Sequence, residues 1–243
     1  MAIVRFFRFY IDKFDLEEQK TDFVIEDKKI VHKIKNVLRF KVGDKITLFN
    51  GDGFYYDFTI SDISKNANDL RFSKIGERYE SVGKKPKILI NLFISVIKKD
   101  KLEWILEKGT ELGVSSFHPI LSERSEKKDF SHERGEMKII EALEQSGRSV
   151  KPTLFEIETL SEVLGQDFSG QKVFLSLNSG QLITEFLIDK NVEEINIFVG
   201  PEGGWSEGED ALFKKAGFMA INLGSAILKT ETACLVAVSK ILI

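Results

Sequence analysis

Apolar positions follow two different rhythms along the chain. Up to about residue 80 they fall in short, turn-bounded runs of β character. Lys45–Phe49 is such a run, Asn50-Gly51 is a type I′ hairpin signal that Asp52-Gly53 widens to three or four residues, and residues 54–60 supply the return strand. Val42-Gly43-Asp44 predicts a turn ahead of that hairpin. Short strands at this spacing suggest a small barrel.

Glu80-Ser-Val-Gly-Lys-Lys-Pro86 is polar and carries Gly and Pro, and the rhythm changes after it, so a domain boundary is placed there, dividing 1–80 from 81–243. Beyond it, strand-like runs alternate with helical ones. Residues 88–97 predict a strand interrupted by Asn91 and Ser95. A helix over 100–112 follows, with Leu102, Ile105 and Leu106 on one face and Gly113 closing it. A strand is expected at 117–121 and a helix at 133–146, burying Met137, Ile140 and Leu143. Residues 173–177 and 195–199 are continuous apolar runs of the buried parallel type. Ser206-x-x-Glu209 is a capping box for a helix reaching about Lys215, with Gly217 behind it. A short strand at 220–223 precedes a last helix at 232–241, with Cys234, Leu235, Val238 and Ile241 inward. This alternation predicts an α/β domain on a parallel sheet.

Composition narrows the function classes. The chain has 243 residues, 42% hydrophobic and 30% charged, enough for one large domain or two modest ones. Cys234 is its one cysteine, which excludes an internal disulfide and a cysteine-ligated zinc, and suits a reducing cytoplasm. The arginines among the first apolar residues do not read as a secretion signal, and no apolar stretch is long enough to span a bilayer, so a membrane partner is not expected. The net charge of −3 points to no nucleic acid, yet from Lys28 to Lys45 there are seven basic residues and one acid, Asp44. That is a footprint phosphates favour, or a solvated lysine-rich face.

The familiar nucleotide and hydrolase signatures are missing: no G-x-G-x-x-G after a strand, no G-x-x-x-x-G-K-[ST], no H-E-x-x-H and no G-x-S-x-G. His32, His118 and His132 show no metal-ligand spacing. Two loops stand out instead. Gly200-Pro-Glu-Gly-Gly204 joins a buried strand to a capped helix, and its glycines allow close passage of the backbone to a ligand. About twenty residues later Leu223-Gly224 ends a strand and leads into Lys229-Thr-Glu-Thr232 at a helix start. Ligands of open α/β sheets lodge outside the carboxyl ends of strands, where both loops belong. A tight turn and a simple helix cap are the plain alternatives.

Gly200-Pro-Glu-Gly-Gly204 followed by Leu223-Gly224-x-x-Ile227-Leu228-Lys229-Thr230-Glu231-Thr232-Ala233 resembles the ribosomal small-subunit RNA uridine-N3 methyltransferases (RsmE type) of the SPOUT superfamily. His32-x-x-x-x-Val37-Leu38-Arg39-x-x-x-Gly43-Asp44, Phe49-x-Gly51-x-Gly53, Lys108-x-x-Glu111-Leu112-Gly113-Val114, Ser122-Glu123-Arg124-Ser125 and Glu144-Gln145-Ser146-Gly147-Arg148 match the same family in order. The resemblance implies an N-terminal PUA-like β-barrel and a C-terminal α/β domain, a trefoil-knotted SPOUT methyltransferase domain with a parallel sheet. It implies S-adenosyl-L-methionine as methyl donor without a metal, a homodimer, and 16S ribosomal RNA or the small ribosomal subunit as partner. Donor-site roles fall on Leu177, Gly200, Glu202, Gly203, Gly204, Leu223, Gly224, Ile227 and Leu228. One departure is Lys229, where the family usually has arginine; the charge is kept and the bidentate fork lost.

For methyl transfer to a uridine N3, a cation must steady charge on the flanking carbonyls, for which Lys229 or Arg124 is suited, and Glu231 or Glu202 could take the proton. Contacts to RNA are expected from Arg5, Arg8 and Arg39 on the barrel and from Arg148 and Lys151 beside the knot. Two other readings stay open: a non-catalytic RNA-binding or assembly factor, and a SPOUT methyltransferase acting on tRNA.

Overall fold

The computed structural model describes residues 7–12, 22–63, 69–76, 78–80, 87–179, 181–186 and 192–242. It separates into two compact units, one of Met1–Lys85 with Leu143–Lys151, the other of Pro86–Ala142 with Pro152–Ile243. Arg5 and the boundary segment 81–86 lie outside the described residues.

The first unit contains β1 (Phe7–Tyr10), β2 (Asp22–Ile25), α1 (Lys28–His32) running into a π-helical turn (Lys33–Val37), β3 (Lys45–Phe49), β4 (Phe54–Ile63), β5 (Leu70–Lys74) and β6 (Tyr79–Glu80). The expected hairpin is present. Leu48 pairs with Tyr56 across a loop in which Gly51 (φ 92°) and Gly53 (φ 101°) hold left-handed conformations, and the Asn50 and Asp52 side chains accept from amides two residues on. Strand order is β1-β3-β4-β5-β2, with β6 on β4, and a bulge between Ile60 and Asp62 helps the sheet curl as half of a barrel. The pairing of β1 with β3 is parallel, which local sequence cannot announce because it joins strands far apart along the chain. Ile46, Leu48, Tyr56, Phe58, Ile60 and Phe72 alternate onto the core face and pack with Val31 and Ile34.

The second unit contains β7 (Leu89–Ser95), α2 (Lys99–Leu112), β8 (Ser116–Leu121), most of α3 (His132–Ser146), β9 (Thr153–Leu154), β10 (Glu158–Thr159), α4 (Leu160–Leu164), β11 (Gln171–Leu175), β12 (Glu194–Val199), α5 (Glu207–Lys215), β13 (Met219–Ile221) and α6 (Thr230–Leu242). Its sheet runs β10-β8-β7-β12-β11-β13 with β9 on β8, and every pairing is parallel, as the unbroken apolar runs predict. Cross-strand register places Phe174, Phe198, Phe93 and His118 in one row on one face. Phe93 stacks on both Phe198 and His118 at 4.1 Å between centroids, and Phe155 stacks on His118 at 4.2 Å. Asn91, the interruption within the first strand, is part of a polar row: it donates to Asn196 at 3.0 Å and accepts from Ser116 at 2.6 Å, which satisfies amides that burial would otherwise penalise.

Two helical faces differ from expectation. In α3 the buried positions are Gly135, Ile139, Ala142 and Leu143, whereas Met137 is exposed and Ile140 only half-buried. The helix turns its glycine inward: a Cβ at Gly135 would come within 2.7 Å of Leu154 and 3.1 Å of Leu106, so close packing on that side decides the face. In α6 Cys234, Val238 and Ile241 are buried with Ala237, but Leu235 is half-buried and lines a surface cavity. α6 also begins two residues early, making Thr230 and Glu231 helical and leaving Lys229 just before the first turn.

Candidate donor-binding cleft

Strands β12, β11 and β13 are neighbours, so their carboxyl ends deliver three loops to one place. There a cleft of about 400 Å³ opens, lined by residues 175–178, 199–207, 221–223 and 226–228, together with Arg124, Asp210, Thr230 and Ala233. Leu177, Gly200, Glu202, Gly203, Gly204, Leu223, Ile227 and Leu228 all line it. Gly224 does not; with φ 133° it shapes the turn, and its amide donates to Asn222 Oδ1 at 3.0 Å. Lys229 and Glu231 are likewise absent from the lining.

The loops brace one another through bonds to backbone carbonyls. Trp205 Nε1 donates to Leu175 at 3.0 Å, and its ring covers Gly200, where a Cβ would lie 3.1 Å from the indole. Thr230 Oγ1 donates to Gly200 at 3.2 Å. Asn222 Nδ2 donates to Leu177 and to Ser179, each at 3.3 Å. Ser206 and Glu209 complete the reciprocal capping box of α5, and Glu209 Oε1 also accepts from the Glu123 amide at 2.7 Å, tying the end of β8 to the loop. Trp205, Asn222 and Thr230 were given no site role from sequence; all sit within or next to the two motifs, but their roles are directional bonds to carbonyls of distant residues.

The cleft leaves apolar surface uncovered. Leu177 is 61% exposed and Ile227 82%, although both lie beside a well-packed sheet. Such residues on opposed loops can wall a flat ring, while loop amides and carbonyls at Gly203 and Gly204 remain close to the space, with nothing within 4 Å of a Cβ built on Gly204. Volume, apolar walls and approachable backbone together fit a nucleoside.

Charged groups divide clearly. Arg124 Nη1 donates to the carbonyls of Gly203 at 2.9 Å and Trp205 at 3.2 Å, so this guanidinium holds the glycine loop. Lys229 is exposed and makes no ion pair among the described residues. Glu202 accepts from Lys101 Nζ at 2.6 Å; burial would raise its carboxyl, but that bond and a loop amide hold it below the usual range. Glu231 is 16% exposed and Lys101 lies 3.9 Å from its Oε2.

The remaining predicted contacts belong to the first unit. A row of rings, Tyr10, Phe49, Tyr55 and Tyr79, runs over one face of its sheet with centroids 5.6–5.8 Å apart. Arg8 lies over Tyr55 at 5.5 Å and Lys151 over Tyr10 at 5.7 Å. Arg148 and Lys151, expected beside the C-terminal domain, therefore stand in the unit that holds Arg8, because Asp52 bridges Val150 and the Lys151 amide donates to Gly51. Burial lowers the Arg148 guanidinium from its ordinary value. Arg39 is exposed and has φ 57°, the one left-handed non-glycine residue among those described.

Residues 84–242 match a family model described as an RNA methyltransferase domain, and residues 25–72 one described as an RNA methyltransferase PUA domain. The chain is 30% identical over 245 residues, 98% of its own length and 96% of the relative's, to the ribosomal RNA small subunit methyltransferase E of Rickettsia conorii. A solved ribosomal RNA small subunit methyltransferase E from Neisseria gonorrhoeae, bound to S-adenosyl methionine, superposes with TM-score 0.85 at 31% identity, covering 96% of this chain and 95% of that one. A methyltransferase from Legionella pneumophila, solved with S-adenosylmethionine, gives TM-score 0.85 at 27% identity over 97% of this chain and 96% of that one.

Proposed function

Because the chain belongs to the ribosomal RNA small subunit methyltransferase E family, we propose that it transfers a methyl group from S-adenosyl-L-methionine to N3 of a uridine in 16S ribosomal RNA. The observation that carries this reading is the cleft at the ends of β11, β12 and β13, with Leu177 and Ile227 left uncovered on its walls. Residues 81–243 act as the trefoil-knotted SPOUT domain and 1–80 as the PUA-like RNA-binding barrel; the all-parallel strand order and the curled N-terminal sheet support this division.

The donor, when bound, supplies an electrophilic methyl group on a sulfonium. Gly200, Glu202, Gly203, Gly204, Leu223 and Leu228 would hold it with their main chain, Leu177 and Ile227 would cover the adenine, and Gly224 would set the turn. Uridine N3 carries a proton that must leave as the N–C bond forms. With Arg124 engaged on two loop carbonyls, Lys229 is the cation available to steady negative charge on the uracil oxygens. Glu231 or Glu202 receives the proton, directly or through water.

RNA is held by Arg8, Arg39, Arg148 and Lys151, with Tyr79, the exposed ring at the end of the aromatic row, as a place where a base can stack. A second copy of the chain covers the apolar face where Trp104 of α2 and Leu235 and Val236 of α6 border a cavity of about 670 Å³. No helix among the described residues is long and apolar enough to cross a membrane. The reaction runs in the cytoplasm, where ribosomes are assembled. The test is primer extension on 16S RNA from cells with and without the gene. A methyl at N3 blocks base pairing, so the stop should vanish in the deletion; an unchanged pattern rejects the assignment.

A further inference from the structure

Lysine is an unfavourable choice for the first turn of a helix, where unpaired amides already present positive charge. α2 nevertheless places Lys101 there, and its side chain is drawn to two carboxylates from different elements, one on the glycine loop and one at the start of α6. Nζ is 2.6 Å from Glu202 Oε1, in the glycine loop, and 3.9 Å from Glu231 Oε2, in the first turn of α6. Among the described residues Glu231 Oε2 is buried and accepts no hydrogen bond, so the nearby ammonium is what compensates its charge. The glycine loop is tied down by Thr230 at Gly200 and by Arg124 at Gly203 and Trp205, but both of these reach backbone carbonyls. Lys101 alone of the three engages the side chain of Glu202, and it stands outside the cleft lining.

Resting on the donor-site reading above, we propose that Lys101 is a positioning residue for the methyl donor: bridging Glu202 and Glu231, it holds the glycine loop and the start of α6 at the separation that admits the nucleoside. The ammonium touches neither reactant. It acts by keeping two like charges from repelling across the loops, and therefore governs donor affinity more than the chemical step. The Glu202 hydrogen bond holds the lysine above its ordinary range, so the bridge stays charged at any working pH. Lys98 and Glu126, 3.8 Å apart, flank the cluster and leave its central bridge to Lys101.

The experiment is calorimetry of the full chain with S-adenosylhomocysteine, alongside steady-state methylation with donor varied. Replacing Lys101 by methionine keeps the stem and removes the charge; Lys101→Arg keeps the charge. The expected result is about a tenfold or greater loss of affinity and a matching rise in donor KM for K101M, kcat at saturating donor within about threefold of the parent, and recovery in K101R. A purely structural role would lower the melting temperature and active fraction without moving KM. Affinity of K101M within about twofold of the parent would overturn the proposal, as would equal losses in K101M and K101R, which would assign the position to packing. Should K101M fail to fold, E231Q, at a residue outside the cleft lining, carries the test: weaker donor binding supports the bridge and unchanged binding overturns it. If the parent protein itself binds neither S-adenosylmethionine nor S-adenosylhomocysteine, it is the donor-site reading that falls.

Discussion

In the N-terminal sheet Arg8 and Lys151 lie over the rings of Tyr55 and Tyr10, whereas beside the C-terminal cleft Lys229 stands exposed without an ion pair among the described residues. Both aromatic rows are largely buried, but Tyr10 and Tyr55 each lie under a cation and their row ends in the exposed Tyr79, whereas Phe93 and Phe198 stack on one another within the apolar core. A cation over a ring is oriented in advance and suits broad, repeated contacts with a polyanion. An ammonium without an ion pair, next in sequence to the cleft-lining Leu228 and Thr230, is left to serve one bound molecule. Antiparallel curling produces the first kind of surface and parallel strand ends the second.

The largest expected effect tests that contrast directly. Lys229→Ala should lower methylation by about a hundredfold or more, as loss of a charge-stabilising group does, while calorimetry with S-adenosylmethionine finds donor affinity within a few-fold. Full activity would remove the catalytic lysine from the account.

A smaller effect separates the two aromatic rows. Burial among Phe93 and Phe155 pushes the His118 imidazole down to about 4. The folded state then binds fewer protons than the unfolded chain, so stability is full above the unfolded value near 6.5 and declines as pH falls from there towards 4. Between pH 8 and pH 5 the loss should be on the order of 2 kcal/mol. Thermal unfolding of His118→Phe, which preserves the stack, should lack that component; an unchanged pH dependence would place its origin elsewhere.

The smallest effect is on the N-terminal face. Arg8→Ala should weaken RNA binding by roughly threefold and lower the salt dependence by about one counterion, without altering donor affinity. A binding isotherm at two salt concentrations reads both. Loss of donor binding in this variant would erase the distinction between the two surfaces.

Much of this was legible where signals are local. The Asn50-Gly51 loop, Gly113 closing α2 with φ 105°, and the Ser206–Glu209 box depend on residues within four positions of each other, and each stands where the sequence places it. Eight of the nine donor-site residues line one cleft because their motifs end adjacent parallel strands. What was hidden depends on distance along the chain. The placement of Arg148 and Lys151 with Arg8 needs the pairing of Val150 with Asp52. The inward face of α3 follows from Gly135 meeting Leu154, and an apolar count favours Met137 instead. Lys101 looks like any surface lysine until Glu202 and Glu231 are brought to it from residues a hundred and more positions later.

The placement of the two tryptophans has an optical consequence. Trp205 lies in the cleft wall with its indole on Gly200, and Trp104 sits 41% exposed on α2 beside Leu235. A nucleoside entering the cleft would change the surroundings of one indole, and a second copy, if it covers α6 as proposed, would change those of the other. Intrinsic fluorescence, with each tryptophan replaced in turn by phenylalanine, thus gives separate unlabelled signals for ligand uptake and for self-association.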